Sequence, residues 1–82
     1  MRTVYLNGQY VAEDEAHISI FDRGLLFADA VYEVVSVLGG RIIDYASHMA
    51  RLERSLAELE MTCPISEAEL LAMHRELVAR NG

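Results

Sequence analysis

The stretch Val31 to Leu38 reads Val-Tyr-Glu-Val-Val-Ser-Val-Leu and closes at Gly39-Gly40. Nothing else in the chain limits the fold as tightly. A run this dense in β-branched side chains favours a pleated backbone, where branched Cβ atoms pack well. Counting by two puts Val31, Glu33, Val35 and Val37 on one face, and Tyr32, Val34, Ser36 and Leu38 on the other. Both faces are mainly apolar, so the strand calls for a cover on each side. The glycine pair lets the chain reverse, and Arg41-Ile42-Ile43 can pair back antiparallel. In 82 residues the second cover is scarce, because a chain of this size buries only roughly 60–65% of the surface it exposes when unfolded. The strand therefore expects material beyond one small domain, 1–82.

The flanking sequence fills in the architecture. Val4-Tyr5-Leu6 and Tyr10-Val11 surround Asn7-Gly8, a dipeptide suited to a tight hairpin turn. Glu13-Asp14-Glu15 reads as a solvated loop, and Ile18-Ser19-Ile20 as a short extended stretch ended by Asp22-Arg23-Gly24. After the central strand, Asp44 is placed to cap a helix in which Tyr45, Met49, Leu52, Leu56 and Leu59 recur at alternating four and three spacing. Pro64 breaks the chain. Ser66 with Glu69 forms a capping box that opens a second helix, with Leu70, His74 and Leu77 on one side and Asn81-Gly82 as its C-cap. The expectation is an α+β fold: an antiparallel β meander with two α-helices.

Charge and composition exclude several functions. Thirteen acidic residues against seven basic ones give a net charge of −6, and all seven bases are arginine. The acids are spread evenly, with no basic arm or patch, so nucleic acid and anionic membrane are not expected partners. No apolar run approaches the roughly 18 residues of a membrane span, and the first residues lack the apolar stretch of a secretory leader, which makes the cytoplasm the expected compartment. A single cysteine, Cys63, forms no internal disulfide and reads as an inert thiol. Without a lysine, no side chain of these residues can form a Schiff base with an aldehyde.

Few residues carry chemistry on type and spacing alone. His17, His48 and His74 lie in separate segments without zinc-ligand spacing, so no metal site is expected. The serines show no nucleophile elbow, and the glycines show no phosphate loop. Asp22-Arg23 and Asp29 either close a turn among themselves or line a ligand. Glu33, set among valines, needs a charged partner, which is either an arginine of this chain or a group across an interface. Arg51 shares a polar helix stripe with His48 and Ser55; it is either a solvated residue or an anion grip, since a guanidinium offers a rigid fork to phosphate.

In sequence order, Asp22-Arg23-Gly24-Leu25-Leu26-Phe27-Ala28-Asp29-Ala30-Val31-Tyr32-Glu33-Val34 resembles the start of the class IV, fold-type IV pyridoxal-phosphate aminotransferases. The Tyr5-Leu6-Asn7-Gly8 hairpin, the Gly40 turn and His48-x-x-Arg51-Leu52 follow the family's order, so the likeness runs from about Val4 to Leu59. Val31-Tyr32-Glu33-Val34 is most similar to the D-amino-acid (D-alanine) type. Branched-chain aminotransferases and aminodeoxychorismate lyases are the alternatives, and more often have phenylalanine at the Tyr32 position. One departure stands out: the family's Phe-Gly-Asp-Gly is here Phe27-Ala28-Asp29-Ala30.

The resemblance implies pyridoxal phosphate as cofactor, its phosphate held by Arg51, and Tyr32 on the substrate side near the amino acid's carboxylate. It implies a homodimer, amino acid and 2-oxo acid substrates, and a second, larger domain that carries the cofactor lysine. These 82 residues are then the N-terminal small domain of a longer D-amino-acid aminotransferase, inactive by themselves and with no catalytic residue of their own. A stand-alone dimerisation or binding module is the competing expectation.

Overall fold

The N-terminal hairpin forms where the sequence places it. In the computed structural model, which describes all of Met1–Gly82, strand β1 (Thr3–Leu6) pairs antiparallel with β2 (Gln9–Ala12) in the register Tyr5 opposite Tyr10. Asn7 and Gly8 take φ of 49° and 84°, the left-handed pair that matches the strands' own twist. The Tyr5 and Tyr10 rings meet edge to face at 5.1 Å. A single 3₁₀ turn over Glu13–Glu15 follows, so the acidic cluster is a turn rather than an irregular loop. It is tied back by Arg2, whose Nε donates to Glu13 Oε2 at 2.9 Å.

The segment around Asp22 holds a short helix that the sequence pattern did not suggest. Helix α1 (Arg23–Phe27) is capped by Asp22, whose Oδ1 accepts from the Gly24 N–H at 2.8 Å. It ends at Ala28, which sits in the left-handed region at φ 56°, ψ 27°. Five residues give too few turns for a periodicity to register.

The central run differs most from expectation. Only Val37–Leu38 (β3) forms a ladder, with Arg41–Ile42 (β4), and Ile43 N–H adds a bond to Ser36 C=O at 2.9 Å. Val31–Val35 make no backbone hydrogen bond at all. The two hairpins stay in separate two-stranded sheets and do not join into one meander. The side-chain alternation survives as far as Ser36, beyond which Val37 and Leu38 are both exposed. Val31, Glu33 and Val35 are half-buried, while Tyr32, Val34 and Ser36 are exposed. One face is covered and the other lies open, because no strand among these residues reaches the backbone of Val31–Val35. The fold class is α+β as expected, with two hairpins and three helices.

Helix α2 (Tyr45–Glu58) begins after Asp44, whose side chain makes no capping bond. The reason is its backbone: at φ 54° it lies outside the extended region from which a capping side chain reaches the first-turn N–H groups. The helix ends in a Schellman pattern: Met61 N–H bonds to Leu56 C=O at 2.9 Å, and Glu60 N–H to Ala57 C=O at 3.0 Å. Helix α3 (Glu67–Asn81) opens as predicted, with the Glu69 N–H donating to Ser66 Oγ at 3.1 Å. The Tyr45 hydroxyl donates to Glu67 C=O at 3.0 Å, joining the starts of the two helices.

At its other end α3 holds the first strand. The Asn81 side chain accepts from Thr3 N–H at 2.8 Å and donates to Thr3 C=O at 2.9 Å, and the Arg80 guanidinium lies 4.3 Å from the centre of the Tyr10 ring. Gly82 follows at φ 80°, as the C-cap reading required.

Burial is thin. Met49, at 3% exposure, is the only fully buried residue. It lies beside Leu52, Leu56, Cys63, Ile65 and Leu70, which line a hollow of about 250 Å³. The chain exposes 6499 Å² in total. A compact folded protein of 9.2 kDa exposes about 4,900 Å². The radius of gyration is 13.7 Å, against about 11.7 Å for a compact chain of this length. Ile18, Ile20, Phe21, Leu25, Leu26, Phe27, Val34 and Leu38 contribute to the excess. No helix is long and apolar enough to cross a membrane.

Candidate functional site

The half-buried face of the central segment meets the polar stripe of α2. His48 and Arg51 are three residues apart and so share one side of the helix. Both reach Glu33. Its Oε1 lies 2.6 Å from His48 Nδ1, its Oε2 accepts from Arg51 Nε at 3.0 Å, and its Oε1 also accepts from Arg51 Nη2. The carboxylate therefore has the arginine of this chain that its position demanded. The sequence had also left open a partner across an interface. Glu33 is 9% exposed and Arg51 58%, so the pair reaches from the inner face of the segment to the surface.

Two hydrogen-bond donors, the Arg51 guanidinium and the His48 ring, keep Glu33 ionised. Its pKa falls from 4.5 to about 2, chiefly through the bond from Arg51 and next through that from His48. Arg51 is raised in turn by the same carboxylate. An ionised carboxylate only accepts, so the proton between Glu33 and His48 belongs to Nδ1 of the imidazole. This role of His48 went unread in the sequence. The available signal was its i, i+3 spacing from Arg51, facing a lone acid among valines.

Tyr32, 86% exposed, points the other way from Glu33, as neighbours in extended backbone do. It lines a surface hollow of about 290 Å³ together with Glu33, Val34, Arg51 and Ser55. The structure thus brings Tyr32 and Arg51 to one place. Arg51 uses Nε and Nη2 on Glu33 and makes no hydrogen bond through Nη1. A guanidinium bonded along one side retains its Nη1/Nη2 edge for a second oxyanion. That donor set fits a phosphate, the group assigned to Arg51 by the resemblance. No residue of the chain fits the cofactor's aldehyde end, since lysine is lacking.

Other charged groups are spent on structure. Arg23 Nε donates to Asp29 Oδ2 at 2.7 Å, so Asp22, Arg23 and Asp29 close the turn around α1 as their structural reading held. His74 Nδ1 lies 2.7 Å from Leu70 C=O and its ring meets Tyr45 edge to face. No three His, Cys, Asp or Glu side chains come together as a metal site. Cys63 is a half-buried free thiol.

The sequence has close counterparts among characterised proteins. Residues 30–82 match the family described as Amino-transferase class IV. A D-alanine aminotransferase of Listeria monocytogenes serotype 4b (strain F2365) is 40% identical over 79 residues, covering 96% of this chain and 27% of the relative. One from Staphylococcus aureus (strain N315) is 36% identical over 81 residues, 99% of this chain and 29% of the relative. One from Staphylococcus haemolyticus is 32% identical over 82 residues, the whole of this chain and 29% of the relative. The chain spans less than a third of the length of these relatives.

Proposed function

The chain belongs to the class IV amino-transferase family, and we propose that it is the small N-terminal domain of a D-amino-acid aminotransferase. The whole protein moves an amino group between a D-amino acid and a 2-oxo acid. Its cofactor is pyridoxal phosphate, which when bound supplies the electron sink for the α-carbon chemistry. Arg51 would hold the cofactor's phosphate, with its Nη1 unpartnered within the chain, and Tyr32 would meet the substrate's carboxylate from the same hollow. A lysine-bearing larger domain and a second copy of the protein complete the site, in the cytoplasm.

The observation that carries this reading is the meeting of Tyr32 and the half-used Arg51 fork in one hollow. The open face of Val31–Val35 supports it from another side. The exposed area, 6499 Å², exceeds that of a compact chain by about 1,600 Å², more than the roughly 800 Å² that one partner contributes to a standard protein–protein interface. Exposed apolar side chains such as Ile20, Phe21, Phe27 and Val34 suit a chain that packs against further protein better than a lone binding module.

The test follows amino transfer by the intact protein that contains this segment. Transfer from D-alanine to 2-oxoglutarate, with no comparable rate from L-alanine or L-leucine, is the expected result. Transfer from L-leucine alone sinks the D-amino-acid reading in favour of a branched-chain enzyme.

A further inference from the structure

We propose that Glu33 is a positioning residue for the anion grip of Arg51: it occupies one edge of the guanidinium and thereby presents the other to a phosphate. The inference rests on the reading of Arg51 given above. A guanidinium offers two edges for a two-pronged bond, Nε with one Nη, and the two Nη atoms together. Glu33 takes the first, with Oε2 on Nε at 3.0 Å and Oε1 on Nη2. Nη1 has no partner, and Arg51 lines the hollow beside Tyr32 and Ser55.

Glu33 is suited to this because it is itself fixed. At 9% exposure it sits between the inward-facing Val31 and Val35, and His48 Nδ1 holds its Oε1 from a second direction at 2.6 Å. An arginine side chain loses much rotamer freedom when it is ordered. Holding Arg51 ready before the ligand arrives removes that loss from binding.

The alternative role for Glu33 has the opposite sign. As a mere neighbouring charge, the carboxylate repels phosphate and cancels part of the attraction of Arg51. Removing its charge then strengthens phosphate binding. If Glu33 positions Arg51, removing it weakens binding despite the more favourable net charge.

The experiment measures inorganic phosphate binding to the intact protein by calorimetry, in wild type, Glu33→Gln and Arg51→Ala. Glutamine keeps the side-chain volume but has one carbonyl oxygen, which cannot serve Nε, Nη2 and His48 together. The expected result for E33Q is affinity about tenfold weaker, the lower end of what partners that orient an ion's ligands contribute. Unchanged or tighter binding in E33Q overturns the proposal. Equal phosphate binding by R51A and wild type removes the Arg51 reading itself, and is told apart because E33Q is then irrelevant to the anion.

A wild-type measurement keeps the test open should E33Q fail to fold. In arginine-labelled protein, phosphate should shift the Arg51 Nη resonances and leave the Nε–H signal in its Glu33-bonded position. Loss of that Nε–H bond on phosphate saturation means that the ligand displaces Glu33, and it refutes the positioning role.

Discussion

Ala28→Gly removes one methyl group and isolates one physical effect. Ala28 sits at φ 56°, ψ 27°, where a side chain's Cβ crowds the following carbonyl at a cost of about 1–2 kcal/mol for an L-residue. The residue is exposed, so the lost methyl takes little packing with it. Its place is fixed by its neighbours: its own N–H bonds to Arg23 C=O, and its C=O accepts from Ala30 N–H at 2.8 Å. Arg23 is in turn clamped to Asp29. The backbone is thus unable to relax to negative φ without breaking the turn. Glycine relieves the strain but gives the unfolded chain more freedom, which returns roughly 0.5–1 kcal/mol. The net expectation is a gain of about 0.5–1 kcal/mol, read as a higher urea midpoint at unchanged slope. Ala28→Val is the control, and it should lose stability because a β-branched residue tolerates positive φ poorly. Equal midpoints for the glycine variant and the wild type would mean that Ala28 carries no strain. The family pattern quoted for this stretch has glycine at the same position, which agrees with the conformation Ala28 is made to adopt.

Three further outcomes follow from the structure. Asn81→Ala deletes two bonds to the backbone of Thr3 and should cost about 1–3 kcal/mol at roughly 0.5–1.5 kcal/mol per bond; faster amide exchange at Thr3 is the expected sign, and unchanged exchange contradicts the tether. Ser66→Ala removes the cap on Glu69 N–H and should lose about 1 kcal/mol, with Ser66→Asp close to wild type by denaturation. Because the pKa of Glu33 is depressed from 4.5 to about 2, the stability it contributes is fully present above pH 4.5 and is lost as pH falls from there through 2; a carboxyl resonance of Glu33 titrating near 4.5 contradicts the ion pair.

How much of this was legible in the sequence depended on the range of the forces involved. Asn7-Gly8, the Ser66 cap and the Leu70–His74–Leu77 side were readable because each is set by residues within a turn or two. The face alternation of Val31–Ser36 was readable for the same reason. The ladder was not, because pairing depends on what lies beside the strand, and Val31–Val35 find no neighbour among these residues. Asp44 had the right side chain for a cap and the wrong backbone for using it. At the site, the lone acid Glu33 announced the need for a partner, and Arg51 stood out as a fork on a polar stripe. That the two meet, with His48 on the same carboxylate, is a tertiary fact 15 and 18 residues apart in the chain, beyond the reach of local pattern. The Asn81–Thr3 tether spans 78 residues and left no sequence signal.

The central claim is that Arg51 grips a phosphate in the hollow it shares with Tyr32. The most direct measurement compares the affinity of pyridoxal phosphate with that of pyridoxal, which lacks the phosphate, in the intact protein and in Arg51→Ala. Wild type should prefer the phosphorylated form strongly. R51A should lose most of that preference while binding pyridoxal as before, with Arg51→Lys in between because an ammonium lacks the fork. A preference for the phosphate that survives unchanged in R51A would place the phosphate elsewhere and contradict the account.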